Sequence, residues 1–366
     1  MIAKEYIPEY CVWELTLRCN MRCLHCGSTA GRAREGELAL HEWMPVADEL
    51  VGLGCRCVTL IGGEVFLAKD WEKLARHLSD AGVEVNIITN GAALREPQIE
   101  QIQAANLANV CVSIDGMREH HDHVRNVNGS FERAVGALDR LSASGISTGV
   151  VTTLLAENIN DLEALYSLLI DHGVSVWQLQ IATPMGNMAE AKGMLLDPSA
   201  IPRVTRFIRE HRDPARLWIL AGDDIGYYDE NEAYLRNLPG RLCAFGGCSA
   251  GLTAVGIDSV GNVKGCESLY DPRFIEGNVR TESFTAIWTK KGNFAYNRNF
   301  DPQMLAGRCK GCDKGSLCRG GCRGSCYFNS DGMYENPYCC YPGRPIAPEK
   351  RHLALAPEAA IGLTPA

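Results

Sequence analysis

Apolar residues in the first half of the chain follow two alternating rhythms. Short runs of strand length fall at 11–17, 57–61, 83–88, 110–114, 148–154 and 176–181. The stretches between them carry apolar residues at i, i+3 and i+4, which predicts helices at 41–53, 71–81, 97–105, 130–144 and 158–172. Strands that alternate with helices across short connections are the pattern of βαβ units in a parallel sheet. Six such rounds predict an α/β fold of barrel type.

The polar and glycine-containing segments keep phase with this alternation. In α/β barrels chemistry gathers on the loops that follow the C-terminal ends of the strands. The loop Cys19-Asn20-Met21-Arg22-Cys23-Leu24-His25-Cys26 follows the first strand, Gly62-Gly63-Glu64 the second and Thr89-Asn90-Gly91 the third. Ser113-Ile114-Asp115-Gly116 closes the fourth, and Thr183-Pro184-Met185-Gly186-Asn187 follows the sixth. One such loop is an ordinary turn. Five in phase with the strand ends predict a single mouth.

The rhythm breaks after residue 190. Residues 191–240 hold one predicted helix at 201–210 and then Asp223-Asp224-Ile225-Gly226-Tyr227-Tyr228-Asp229-Glu230, where acids interleave with aromatics. That stretch reads as a bridging linker or as a loop that touches a polar substrate. Composition adds exclusions. A hydrophobic content of 46% with 22% charge is that of a globular chain. The net charge of −8 argues against a nucleic-acid surface. No apolar run is long enough to span a bilayer, and the N-terminus lacks a basic-then-apolar secretory pattern. A cytoplasmic protein without membrane or nucleic-acid partners is expected.

Seventeen cysteines change the picture more than anything else. In a chain without a secretory pattern, and at these spacings, they point to metal ligation rather than disulfides. Three of them lie within the loop 19–26. A four-iron cluster ordinarily takes four cysteine ligands, so a loop that offers three leaves one iron open to a small molecule. Structural zinc is the alternative, with His25 as a further ligand type. His25 abuts Cys26, and bringing both to one ion would strain the loop. Ten more cysteines, between Cys243 and Cys340, are more than one zinc site uses. A pair of zinc ribbons is the alternative there. Of the rest, Cys11, Cys57 and Cys111 fall in strands and Cys55 just precedes one, where a free cysteine acts as a small buried hydrophobe.

The Cys-x3-Cys-x2-Cys spacing of Cys19, Cys23 and Cys26 resembles that of radical S-adenosylmethionine (SAM) enzymes. The resemblance implies a partial (β/α)6 TIM-type barrel over residues 8–190. It also implies that SAM chelates the open iron and is cleaved to a 5′-deoxyadenosyl radical. Gly62, Gly63 and Glu64 resemble the family's Gly-Gly-Glu motif, which holds the methionine amino group; Val65 stands where proline is usual. Ser113 resembles the contact to the SAM ribose or carboxylate. His121-Asp122-His123-Val124-Arg125 is similar to an HDxxR stretch whose Arg125 would pair with the methionine carboxylate, against the plainer reading of a solvated helix-flanking charge. Asn90 and Asp115, on the neighbouring loops, join this expected cofactor-binding set.

The later cysteines resemble the SPASM extension of these enzymes, here over residues 241–345, with 346–366 as a tail. The resemblance implies two auxiliary clusters. Cys243, Cys248, Cys266 and Cys322 would hold the first; Cys309, Cys312, Cys318 and either Cys340 or Cys339 the second, with Cys340 fitting the family spacing slightly better. Cys326 is left as a possible substitute ligand. Glu267 follows a ligand where sulfatase-maturing relatives carry a catalytic acid, so it is read either as a base that completes an oxidation or as a surface glutamate.

The implied cofactors are therefore SAM and three four-iron–four-sulfur clusters, with a flavodoxin- or ferredoxin-like electron donor. The implied substrate is a peptide, presented by a separate recognition protein and matured by crosslinking or side-chain oxidation. A small-molecule substrate, either a tetrapyrrole or a sugar, and formylglycine formation are the alternatives.

Overall fold

The computed structural model describes residues 6–213, 215–222, 224–236, 243–330 and 332–341. Six strands stand where the apolar runs predict them: β1 (Tyr10–Glu14), β2 (Cys57–Ile61), β3 (Glu84–Thr89), β4 (Asn109–Ser113), β5 (Thr148–Leu154) and β6 (Val176–Ile181). Each pairs in parallel with the next. The helices between them are α1 (Leu40–Gly52), α2 (Trp71–Asp80), α3 (Glu96–Ala105), α4 (Arg118–Arg125), α5 (Ser130–Ala143) and α6 (Leu162–Asp171). The structure adds α4, a polar helix whose low apolar content hides it from a periodicity reading.

The 191–240 stretch is more than a linker. It contains α7 (Ile201–His211) and a seventh strand, β7 (Trp218–Ala221), which pairs in parallel with β6. At the other edge β8 (Ala254–Ile257) runs parallel beside β1, then turns through β9 (Asn262–Lys264) and β10 (Gly277–Asn278). The result is one open ten-stranded sheet in the order β10-β9-β8-β1-β2-β3-β4-β5-β6-β7. The expected second domain thus begins by extending the barrel's own sheet.

The two faces of the sheet differ because side chains alternate along a strand. Trp13, Val58, Leu60, Val85, Ile87, Val110, Val112 and Val150 turn to one face and are fully buried with Val46, Leu50, Leu74, Leu78, Ala134 and Leu138 of the helices. Each large side chain so buried contributes about 1.5–3 kcal/mol. The register places Thr59 beside Asn86, Val151 beside Gln178 and Thr153 beside Gln180 on the opposite face. That concave face mixes the aliphatic Val12, Ile61, Ile88 and Val151 with hydrogen-bonding groups: Asn86 Nδ2 donates to Cys57 Sγ (3.2 Å), and Gln180 Nε2 to Thr153 Oγ1 (3.2 Å). Cys57 and Cys111 belong to this face rather than to the helix-packed core; Cys111 Sγ donates to Asn109 Oδ1 (3.1 Å). Cys11 lies in the core as expected.

Candidate active site

The loop 19–26 is held from several sides by the other strand-end loops. Its base pairs Arg18 with Gly31, and Cys19 N donates to Gly31 O. Asn90 Nδ2, after β3, donates to Asn20 Oδ1 (2.8 Å). Leu24 N donates to Val124 O at the end of α4 (2.8 Å). From the loop after β6, Asn187 Nδ2 donates to Cys23 O and Asn187 N to Cys26 O, both at 2.9 Å. Gly186 makes that approach possible: its φ is +56°, and a Cβ there would collide with the carbonyls of Cys26 and Gly27.

Each thiol of the loop faces a donor. Met21 N points at Cys19 Sγ (3.4 Å), Ala30 N at Cys26 Sγ (3.3 Å) and the Arg125 guanidinium at Cys23 Sγ (4.0 Å). Burial pushes the free Cys19 thiol up to about 11 and raises Cys23 as well. Donors aimed at sulfurs that burial keeps protonated fit a site where a bound metal supplies the charge that holds thiolates. The donor set therefore fits three corners of an iron–sulfur cluster.

Gly62, Gly63 and Glu64 lock the second loop to the first. Gly63 N donates to Thr16 O (2.6 Å) and Glu64 N to Arg18 O (2.8 Å). A Cβ on Gly63 would stand 2.5 Å from the carbonyl oxygens of Leu17 and Arg18, so only glycine permits this approach. The Glu64 carboxylate is buried and fully engaged: Oε1 accepts from Thr89 Oγ1 (2.7 Å) and Phe66 N (3.3 Å), and Oε2 from Asn90 N (2.9 Å). It braces the loops after β2 and β3, so the face this motif offers a ligand is backbone.

Behind the loop lies a buried ion group. Asp115 is fully buried; its Oδ1 accepts from Thr153 N (2.8 Å), and its Oδ2 meets Arg125 Nη2 (2.5 Å) and His25 Nε2 (3.2 Å). Desolvation by burial opposes its charge, but Arg125 and His25 outweigh it and hold the Asp115 carboxyl well below the usual range. Arg125 is accordingly no solvated charge: it joins Asp115 to Cys23 and keeps a buried Nε without a hydrogen-bond partner. His25 turns toward Asp115, away from a shared ion with Cys26. Ser113 ends β4 on the concave face, half-buried.

The HDxxR stretch divides its labour. Asp122 caps α5, accepting from Gly129 N, Ser130 Oγ and Phe131 N. His121 Nδ1 accepts from Asp115 N (3.1 Å), which requires a neutral ring. Burial lowers His121 from the ordinary 6.5 to about 4. The unfolded chain takes up this proton below pH 6.5 and the folded chain only near 4, so stability is full above that window and falls within it. Between pH 7 and pH 5 the loss amounts to about 2 kcal/mol. His121→Asn, whose Oδ1 also accepts, is expected to flatten this part of the profile. Urea melts of the cluster-free chain at both pH values measure it, and an unchanged slope in the variant would remove His121 as the cause.

The later cysteines gather into two sets. Cys248 is drawn down to about 6 by a hydrogen bond with the Cys322 thiol, and Cys266 lies close enough to interact with Cys248. Cys243, half-buried, leads into this segment. In the second set Cys318 is pushed up to about 12 by burial and by the thiols of Cys339, Cys309 and Cys312. The member of the tandem pair beside Cys309, Cys312 and Cys318 is thus Cys339. Cys340 turns the other way: its thiol donates to Asp229 Oδ2 (3.7 Å) and packs near Gly226. Cys326 is fully buried, donates to Gly320 O (3.1 Å) and lies close enough to Cys309, Cys248 and Cys318 to interact with them. Among the described residues, no three His, Cys, Asp or Glu side chains close on the position of a single metal ion.

Glu267, next to Cys266, is buried rather than at the surface. Its Oε2 accepts from Lys264 Nζ (2.9 Å), and its Oε1 is buried without a partner. Burial raises it to about 7 against the pull of Lys264. Around it stand Glu14, Arg34 and Tyr270, with Arg34 bonded to both Glu14 and the Tyr270 hydroxyl. Asp223 of the acid-aromatic stretch lies outside the described residues. Its neighbours serve packing: Tyr227 is fully buried and accepts from Cys322 N, and Tyr228 donates to Phe245 O.

A parallel α/β barrel with three thiols at its mouth, followed by a cysteine-rich extension, matches known families. The model for the radical SAM superfamily covers residues 13–169, and that for the SPASM iron–sulfur cluster-binding domain covers 248–313. The chain is a radical SAM enzyme with a C-terminal SPASM domain. Among its relatives is the AdoMet-dependent heme synthase of Methanosarcina barkeri, 29% identical over 94% of this chain and 100% of that protein. The mycofactocin maturase MftC of Mycobacterium ulcerans is also 29% identical, over 94% of this chain and 91% of that one. Streptococcus suis SuiB bound to S-adenosylmethionine shares the fold, with a TM-score of 0.72 at 14% identity over 90% of this chain and 76% of that one. No helix among the described residues is long and apolar enough to cross a membrane.

Proposed function

We propose that this enzyme uses SAM and three four-iron clusters to oxidise or crosslink side chains of a peptide. Bound at Cys19, Cys23 and Cys26, a cluster with one open iron would supply reductive cleavage of SAM to a 5′-deoxyadenosyl radical. The chain's own residues do the rest. The backbone of Gly62 and Gly63, with Asn90 and Ser113, lines the SAM side of the mouth; Glu64 braces it, while Asp115 and Arg125 set the loop's position and the charge behind Cys23. Cys243, Cys248, Cys266 and Cys322 hold one auxiliary cluster, and Cys309, Cys312, Cys318 and Cys339 the other. Glu267 accepts a proton from the substrate as its oxidation is completed.

The observation that carries the peptide reading is the concave face of the sheet. Asn86, Thr153, Gln178 and Gln180 offer amides and a hydroxyl, groups that match peptide amides better than the flat apolar face of a tetrapyrrole. The maturase relatives support it, as does the shared fold with SuiB, which has been seen bound to the precursor peptide SuiA. A tetrapyrrole is the second reading, favoured by the end-to-end match to the heme synthase.

Reconstituted enzyme with SAM and reductant should form 5′-deoxyadenosine faster with a short peptide encoded beside its gene, together with any recognition protein encoded there, and the peptide should lose hydrogen mass. Glu267→Gln should keep SAM cleavage but lose product. Acceleration by iron-coproporphyrin III and none by the peptide would reverse the choice between the two readings.

A further inference from the structure

Arg323 is the least expected buried charge in the chain. It follows Cys322 directly, opens the helix Arg323–Asn329, and its side chain is wholly inaccessible to solvent. Taking a guanidinium out of water costs several kcal/mol and is ordinarily matched by a carboxylate. Among the described residues no acidic side chain pairs with it. Its Nη1 donates to the carbonyls of Arg319 (2.7 Å), Met333 (3.0 Å) and Gly321 (3.3 Å), and the Tyr334 ring lies 4.5 Å from its carbon. Its Nε and Nη2 are buried with no partner. Carbonyl dipoles and a ring face orient the group without neutralising it.

The nearest groups able to carry negative charge are thiols. Arg323 follows Cys322 directly in the chain, and its positive charge acts on both Cys248 and the buried Cys326. We propose that Arg323 is the counter-charge of the first auxiliary site, formed by Cys243, Cys248, Cys266 and Cys322, and that it raises the reduction potential of the cluster held there. This rests on the reading of those cysteines as cluster ligands. The reason is electrostatic: reduction adds a negative charge to an already anionic group, and a fixed buried cation stabilises the reduced form more than the oxidised one. Arg323 is therefore a positioning and tuning residue, not a catalytic one.

The test compares full-length, anaerobically reconstituted wild type with Arg323→Lys and Arg323→Gln by iron count and by redox titration followed by electron paramagnetic resonance. A version carrying Cys19→Ala, Cys23→Ala and Cys26→Ala assigns the auxiliary signals. Arg323→Gln should lower one auxiliary potential by at least a tenfold change in the one-electron equilibrium, about 59 mV, while Arg323→Lys stays nearer wild type than that. An unchanged potential in Arg323→Gln, or an equal fall in Arg323→Lys, would overturn the proposal. Should Arg323→Gln fail to load auxiliary iron, full loading of Arg323→Lys at the wild-type potential supports the need for charge. Failure of both assigns Arg323 to packing and overturns the proposal. Wild type without any auxiliary signal would instead sink the ligand reading beneath it.

Discussion

Replacing Cys19, Cys23 and Cys26 together with alanine is expected to abolish 5′-deoxyadenosine formation, because this loop alone among the cysteine sets offers three ligands and leaves an iron open. The loop's frame should survive the change. Its shorter anchors are backbone and amide contacts, from Asn187 to Cys23 O and Cys26 O, from Leu24 to Val124 and from Asn90 to Asn20, and the substitutions remove only the longer contacts of Met21 N, Ala30 N and Arg125 to the sulfurs. Circular dichroism and the auxiliary iron count should therefore stay near wild type, which separates loss of chemistry from loss of fold. Replacing Cys312 and Cys318 should do the reverse: SAM is still cleaved, but no product forms. Folding in that variant must be checked first, because ligand loss and unfolding are linked in metal domains. A folded Cys312→Ala, Cys318→Ala enzyme that turns over its substrate at the wild-type rate would leave the second auxiliary site a purely structural role.

The strand positions were legible because hydrophobic alternation and burial are the same fact seen twice. Thr148–Leu154 and Val176–Ile181 stand where the apolar runs place them. The strand β7 was not legible: four residues are too few to show a period, and its place is set by pairing with β6. The strand-end loops do meet on one side of the sheet, but the roles of their polar residues depend on partners far along the chain. Glu64 reads as a ligand-facing acid until Thr89 and Asn90 are seen to occupy it. Arg125 reads either as a surface charge or as an anion clamp until Asp115, ten residues earlier and expected from its strand-end loop to face the cofactor, is seen beneath it. Burial of Glu267 and Arg323 was equally beyond local sequence, since nothing in their immediate neighbours predicts the fold closing over them.

The tandem pair Cys339-Cys340 shows the same limit and yields the sharpest test. Spacing along the chain cannot tell two adjacent residues apart, whereas in the fold their thiols meet different partners. Cys339 reaches Cys318, Cys309 and Cys312, while the Cys340 thiol donates to Asp229 Oδ2. A thiol that must stay protonated to donate to a carboxylate is poorly placed to serve as a thiolate ligand. Cys339→Ala is therefore expected to lose about four of about twelve irons per chain, and with them product formation, while SAM cleavage persists. Cys340→Ala should keep its iron and lose only the weak hydrogen bond to Asp229, about 1 kcal/mol of stability or less. Iron and sulfide analysis of the two variants, reconstituted side by side, decides between them. If Cys340→Ala sheds the cluster and Cys339→Ala retains it, the ligand is the residue that turns toward Asp229, and this segment must rearrange when the cluster binds.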